Sequence, residues 1–108
     1  MRFLVTMEHI DTGEAPPPRE MVAFLENIVL PSVKILGEWE KAGKAKGGIL
    51  AGRRGAAFIL DVDSHEQLSD MLRSVPIWGV SDIDIVPLES IDHRYKTDGE
   101  TAKQLKSM

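Results

Sequence analysis

The stretch GAAFILDVDSHEQLSDMLRSVPIWGVSDIDIVPL, residues 55–88, decides the fold. It opens on a β-prone run, Gly55 to Val62. Ser64-His65-Glu66-Gln67 follows, with the hydroxyl and the Gln three residues later that form a capping box at a helix N-terminus. Leu68, Met71, Leu72 and Val75 then fall on one helical face, and Pro76 ends that helix. Residues 82–89 read as a last strand, in which Asp82 and Asp84 interrupt a run of apolar residues.

Working outward from this strand, helix and strand, residues 46–52, KGGILAG, supply the partner arm of a hairpin. Its tip is Gly52-Arg53-Arg54-Gly55, where flanking glycines provide the backbone freedom of a tight turn. Before it, residues 19–44 repeat at helical spacing through Val22, Leu25, Val33, Leu36 and Trp39, with Pro18 suited to the first turn. Gly43 marks the stop. Pro31 lacks an N–H and crowds the preceding turn, so a kink or a break between two shorter helices is expected there. Residues 2–9, RFLVTMEH, form strand one, bounded by the turn-rich DTGEAPPP. The order is β-α-β-β-α-β, the ferredoxin-like α+β sandwich: a four-stranded antiparallel sheet with two helices on one face. Residues 1–89 form this domain. Residues 90–108 form a polar C-terminal tail or arm, either solvated or anchored on a partner subunit through Ile91, Tyr95 and Leu105.

The chain has 108 residues, a length for one domain with a modest core. A formal charge of −4 argues against nucleic acid or an anionic membrane as partner, since both demand clustered Lys and Arg. The absence of cysteine excludes disulfides, thiolate metal sites and a cysteine nucleophile. His9, His65 and His93 are too scattered for a metal-ligand spacing, so no metal is expected. The N-terminus lacks the long apolar core of a signal peptide, and no stretch approaches a membrane span, which makes the cytoplasm the expected location.

Strand alternation sorts the side chains. Phe3, Val5 and Met7, with Phe58, Leu60 and Val62 and with Ile83 and Ile85, suit the face under the helices. Leu4, Thr6, Glu8, Asp61 and Asp84 then point to the opposite face. Two helices cover one face only, so a second copy stacked sheet to sheet is expected to cover the other, with a small-molecule cavity between them. Glu8, Asp61 and Asp84 would converge there; a desolvated carboxylate near like charges shuttles protons near neutral pH. The same three also suit solvated strand ends paired with Arg2 or Lys46. His9, at the end of strand one, is a further candidate acid or base. Arg53 and Arg54 could receive an anionic substrate or simply solubilise a turn. Trp78 suits a cavity rim or a subunit seam.

The run from Asp61 to Leu88 resembles the C-terminal half of muconolactone isomerases. It carries Asp61-Val62, then Ser64, Glu66, Leu68, Asp70 and Leu72, then Pro76-Ile77-Trp78, and Asp82-Ile83 before the last strand. The resemblance implies a dimeric α+β barrel, often built into larger rings. It also implies a cofactor-independent proton shift that moves a double bond in an unsaturated lactone, an activity of aromatic catabolism. Helix one, with Pro31, and the APPP entry depart from the isomerase pattern.

The resulting expectation is a homodimer that needs no cofactor and acts as an isomerase on a small organic acid or lactone. Glu8, His9 and Asp84 are the candidate catalytic groups, and Thr6, Asp61, Trp78 and Arg53 the candidate substrate contacts. A non-catalytic dimeric binding or assembly module, and a cofactor-free monooxygenase or cyclase on the same barrel, are the competing readings.

Overall fold

Strand β1 (Arg2–His9) lies between two others, pairing antiparallel with β3 (Gly55–Asp61) on one side and with β4 (Ser81–Leu88) on the other. β2 (Ala45–Ile49) pairs with β3, so the sheet order is β2-β3-β1-β4. Helices α1 (Pro18–Phe24), α2 (Leu30–Lys41) and α3 (His65–Arg73) complete the ferredoxin-like α+β sandwich. A 3-10 turn (Pro76–Val80) leads into β4, and a fourth helix, α4 (Ile91–Lys106), follows it. The computed structural model describes residues 1–10 and 13–108. Asp11 and Thr12, in the turn-rich stretch after β1, lie outside the described residues.

The two faces of β1 separate as alternation requires. Phe3, Val5 and Met7 are buried, while Leu4, Thr6 and Glu8 are only partly so. The register aligns Val5 with Phe58 and Ile85, and Met7 with Ala56 and Ile83. Phe58, Leu60 and Val62 join the core from β3 and its end, and Leu68, Leu72 and Val75 close it from α3. Trp39 packs edge-on against Phe58 with ring centroids 6.2 Å apart.

Helix termini follow the sequence closely. Ser64 Oγ accepts from the Gln67 N–H at 3.0 Å, and Gln67 Oε1 accepts in return from the Asp63 N–H at 2.6 Å. Gly43, at φ +74°, ends α2: Lys44 N–H donates to the Trp39 carbonyl at 2.9 Å and Gly43 N–H to that of Glu40 at 3.1 Å, a Schellman closure.

Pro31 does not break the first helical segment. Helical backbone runs from Pro18 to Lys41, and residues Leu25–Val29 between α1 and α2 are π-helical, with the Leu30 N–H reaching back to the Leu25 carbonyl. A wider turn just before the proline accommodates a residue that cannot donate to the carbonyl four back, and the helix continues.

The C-terminal residues, expected as a polar tail or arm, are helical. They form α4, a helix of 16 residues, every one of them exposed. Because α4 projects from the body, the radius of gyration is 18.6 Å, against about 13 Å for a compact chain of this length.

Gly47 and Gly55 are where backbones approach most closely. A Cβ at Gly47 would run into the Ala57 carbonyl and Phe58, and one at Gly55 into the Met7 carbonyl. Gly47→Ala is therefore expected to cost about 1–3 kcal/mol, because neither neighbour is a flexible side-chain end. Thermal unfolding followed by circular dichroism should show a midpoint lower by several degrees.

Candidate functional site

At the His9 end of the sheet the side chains become small, with Gly55 and Ala56 on β3. The helical segment from Met21 to Leu36 passes over this end without filling the space. Neither α1 nor the π-helical residues bury a side chain. A pocket of about 460 Å³ results. Met7, Ala56, Met21, Leu25, Val29, Val33, Leu36 and Ile77 make its walls largely apolar, while His9, Arg53, Arg54, Ser32 and Ser81 supply polar groups.

Ser32 sets one wall. It is buried, and its Oγ donates to the Ile28 carbonyl at 2.6 Å while accepting from the Ile77 N–H at 2.9 Å. This hydroxyl ties α2 to the 3-10 turn across 45 residues of chain. Directly beside it in the fold, Ser81 Oγ donates to the Ile77 carbonyl at 2.8 Å, and the register places Ser81 opposite His9.

His9 follows Met7 onto the helix side of the sheet. Its ring lies edge-on to Phe24 with centroids 5.2 Å apart. Its Nδ1 is the one buried side-chain nitrogen or oxygen among the described residues with no hydrogen-bond partner. A buried polar atom left unpaired costs about 1–3 kcal/mol.

Arg53 reaches from the hairpin tip to Glu8 in a bidentate pair, Nη2 to Oε2 at 2.6 Å and Nε to Oε1 at 3.1 Å. Arg54 lines the same pocket and makes no ion pair among the described residues.

The remaining expected site residues lie elsewhere. Thr6 and Asp84 are cross-strand partners on the sheet face away from the helices, and Asp84 is exposed. Asp61 pairs with Arg2 in the register, whereas Glu8 pairs with Gly55 at the other end of the same ladder. At about 3.4 Å per residue that separates Asp61 from Glu8 by roughly 20 Å. The three carboxylates therefore do not converge, and Asp61 instead sits 3.5 Å from the N-terminal ammonium. Asp82, opposite Glu8, is the acidic neighbour that alternation by itself does not single out. Trp78 does not line the pocket; the Arg73 guanidinium stands over its ring at 5.5 Å. The pocket formed by one chain is thus on the helix side, opposite the face where the sequence leads one to expect a cavity.

No protein-family model and no curated protein sequence matches the chain. Solved structures do. The crystal structure of muconolactone isomerase superposes with a TM-score of 0.64 at 23% identity, covering 84% of this chain and 95% of that one. The chain has the muconolactone isomerase fold. A second structure is 5-chloro-2-hydroxyhydroquinone dehydrochlorinase from Burkholderia phenoliruptrix AC1100, in complex with 2,5-dihydroxybenzoquinone. It matches with a TM-score of 0.60 at 15% identity over 86% of this chain and 98% of its own.

Within the muconolactone isomerase fold, this chain assembles its pocket from β1, the hairpin tip and the π-containing helix. Ser32, Ser81 and Phe24 are the pocket residues that carry no sequence signal. Ser32 is one small polar residue after a proline, and nothing in its neighbours announces Ile77 as a partner. His9 was open to a sharper reading, because two-residue alternation from Met7 puts it on the helix face.

Among the described residues no group of three His, Asp or Glu side chains is arranged to hold a metal, and no helix is long and apolar enough to cross a membrane.

Ser32→Ala should lower stability by about 1–3 kcal/mol, since it leaves the buried Ile77 N–H without an acceptor. Arg53→Gln, which removes a solvent-exposed pair, should change stability by less than about 1 kcal/mol. Parallel urea unfolding of the two variants checks the contrast.

Proposed function

We propose that the chain is a cofactor-independent isomerase whose pocket takes a small unsaturated lactone or organic acid, with His9 as the group that moves the proton. The observation that carries this reading is the His9 imidazole, which lines an apolar pocket with arginines at its edge and whose Nδ1 has no hydrogen-bond partner among the described residues. Histidine changes charge closest to neutral pH, which suits it to accept and return a proton without a second reagent. The imidazole would take a proton from the carbon just beyond a double bond that is conjugated with the lactone carbonyl. The freed electron pair then delocalises through the double bond into the carbonyl. The imidazolium returns the same proton at the carbon next to the carbonyl, so the double bond shifts and nothing else is consumed.

Arg54 is the residue proposed to hold the substrate carboxylate. Its guanidinium makes no ion pair among the described residues, whereas that of Arg53 is occupied by Glu8. Glu8 then serves as the group that positions Arg53, and Asp84 lies outside the pocket's chemistry. The likeness to muconolactone isomerase and to a dehydrochlorinase solved with a quinone supports a small cyclic ligand. A chain without cysteine is suited to the reducing cytoplasm, where such an enzyme would act.

The open sheet face supports a homodimer. Ile59, Leu4 and Val86 align as one apolar row across three strands, and Ile59 and Val86 are 36% and 42% exposed. A second copy stacked on this row would bury it. Leu4→Lys should then reduce the mass measured by light scattering while leaving the fold intact by circular dichroism.

The chemistry is tested by following ultraviolet absorbance of muconolactone and related enol-lactones. Turnover is expected, with kcat reduced about 100-fold or more in His9→Asn. Arg54→Gln should raise KM roughly tenfold with little change in kcat, as loss of a charge-assisted contact predicts. Turnover that His9→Asn leaves intact would refute the assignment. Saturable binding of the lactone without turnover would instead make the pocket a binding module.

A further inference from the structure

Helix α4 has no visible reason to hold together as it stands. It leaves β4 through Glu89 and Ser90, with Ser90 Oγ accepting from the His93 N–H at 3.1 Å and Arg94 braced 2.6 Å from Glu89. Beyond that root it touches solvent on every side, with Ile91 87% and Tyr95 83% exposed. It contains Thr97, Gly99 and Thr101, all poor helix formers. Isolated helices of about 12–15 residues are marginal in water even with better sequences. A packing partner is the usual remedy, and the described residues of the body supply none.

The helix carries a seam suited to one kind of partner. Ile91, Tyr95, Asp98, Ala102 and Leu105 recur at alternating steps of four and three, the heptad pattern of two helices packing along their length. The stripe is narrow, as in a coiled-coil seam, and not the broad apolar face of a helix lying on a sheet. Its charges choose a direction. In a parallel pair Asp98 would meet Asp98 of the other copy. Antiparallel, it meets Tyr95, whose hydroxyl donates to a carboxylate, or Ala102, which leaves room. Asp92 lies in the first turn, and Lys103 and Lys106 in the last. Antiparallel packing brings Asp92 of one copy against Lys106 of the other and opposes the two helix dipoles. Every contact is then made twice about a two-fold axis, the condition for a closed interface between identical chains.

We propose that α4 is a self-complementary assembly element that pairs antiparallel with α4 of a second copy of this chain. The proposal is independent of the chemistry assigned to the pocket.

A chain without cysteine makes the test clean. Residues 92 and 106 are about 21 Å apart along one helix, too far for a disulfide within a chain. A chain carrying both Asp92→Cys and Lys106→Cys, mildly oxidised, is expected to form covalent dimers on a denaturing gel, with each single variant forming at least tenfold less. Adding Tyr95→Glu and Leu105→Glu to the double variant should abolish the cross-link, and Asp98→Leu should increase it. A double variant that stays monomeric on the gel would overturn the proposal. So would single variants that cross-link as fast as the double one, or a cross-link indifferent to Tyr95 and Leu105.

Discussion

The whole body of this protein depends on β1 being paired on both sides. Its backbone is hydrogen-bonded to β3 along one edge and to β4 along the other over nearly its full length. Because successive side chains point to opposite faces, that one strand sorts the sheet. Phe3, Val5 and Met7 define the side on which the helices must lie, and Leu4, Thr6 and Glu8 the side they leave open. His9, the last residue of the strand, inherits the helix side from Met7. The strand that organises the core therefore also delivers the imidazole to the pocket, next to Ser81 on β4.

The pocket exists because the helix above that end of the sheet cannot settle into it. Pro31 removes a donor, the π-helical turn at Leu25–Val29 absorbs the defect, and the Ser32 hydroxyl fastens the helix to the Ile77 N–H. Glycine and alanine on the sheet side leave the gap unfilled. A segment held by one buried hydroxyl and otherwise lightly packed has the low local stability that ligand-binding elements share.

Much of the fold was legible in the sequence, and for identifiable reasons. The Ser64–Gln67 cap, the glycine at 43 and the alternation of β1 and β3 are local signals, each decided by a few neighbouring residues. What failed were inferences that joined distant residues. Glu8, Asp61 and Asp84 share a sheet face in projection, but the pairing register separates Asp61 from Glu8 along the strand. Arg53, expected at the hairpin tip either to receive an anionic substrate or to solubilise the turn, is carried back to Glu8. Trp78 sits beyond a helix-ending proline as expected, and its ring meets Arg73.

The sequence by itself determined the order of the strands and of the helices between them, the faces that β1 and β3 bury, and the helix start at Ser64 and stop at Gly43, because these depend on local periodicity, capping and backbone freedom. Tertiary structure alone decided which side of the sheet holds the pocket and which of the two hairpin-tip arginines makes an ion pair among the described residues. Those outcomes turn on strand register and on how far a helix stands from a sheet, and both are distances between residues that the sequence places far apart.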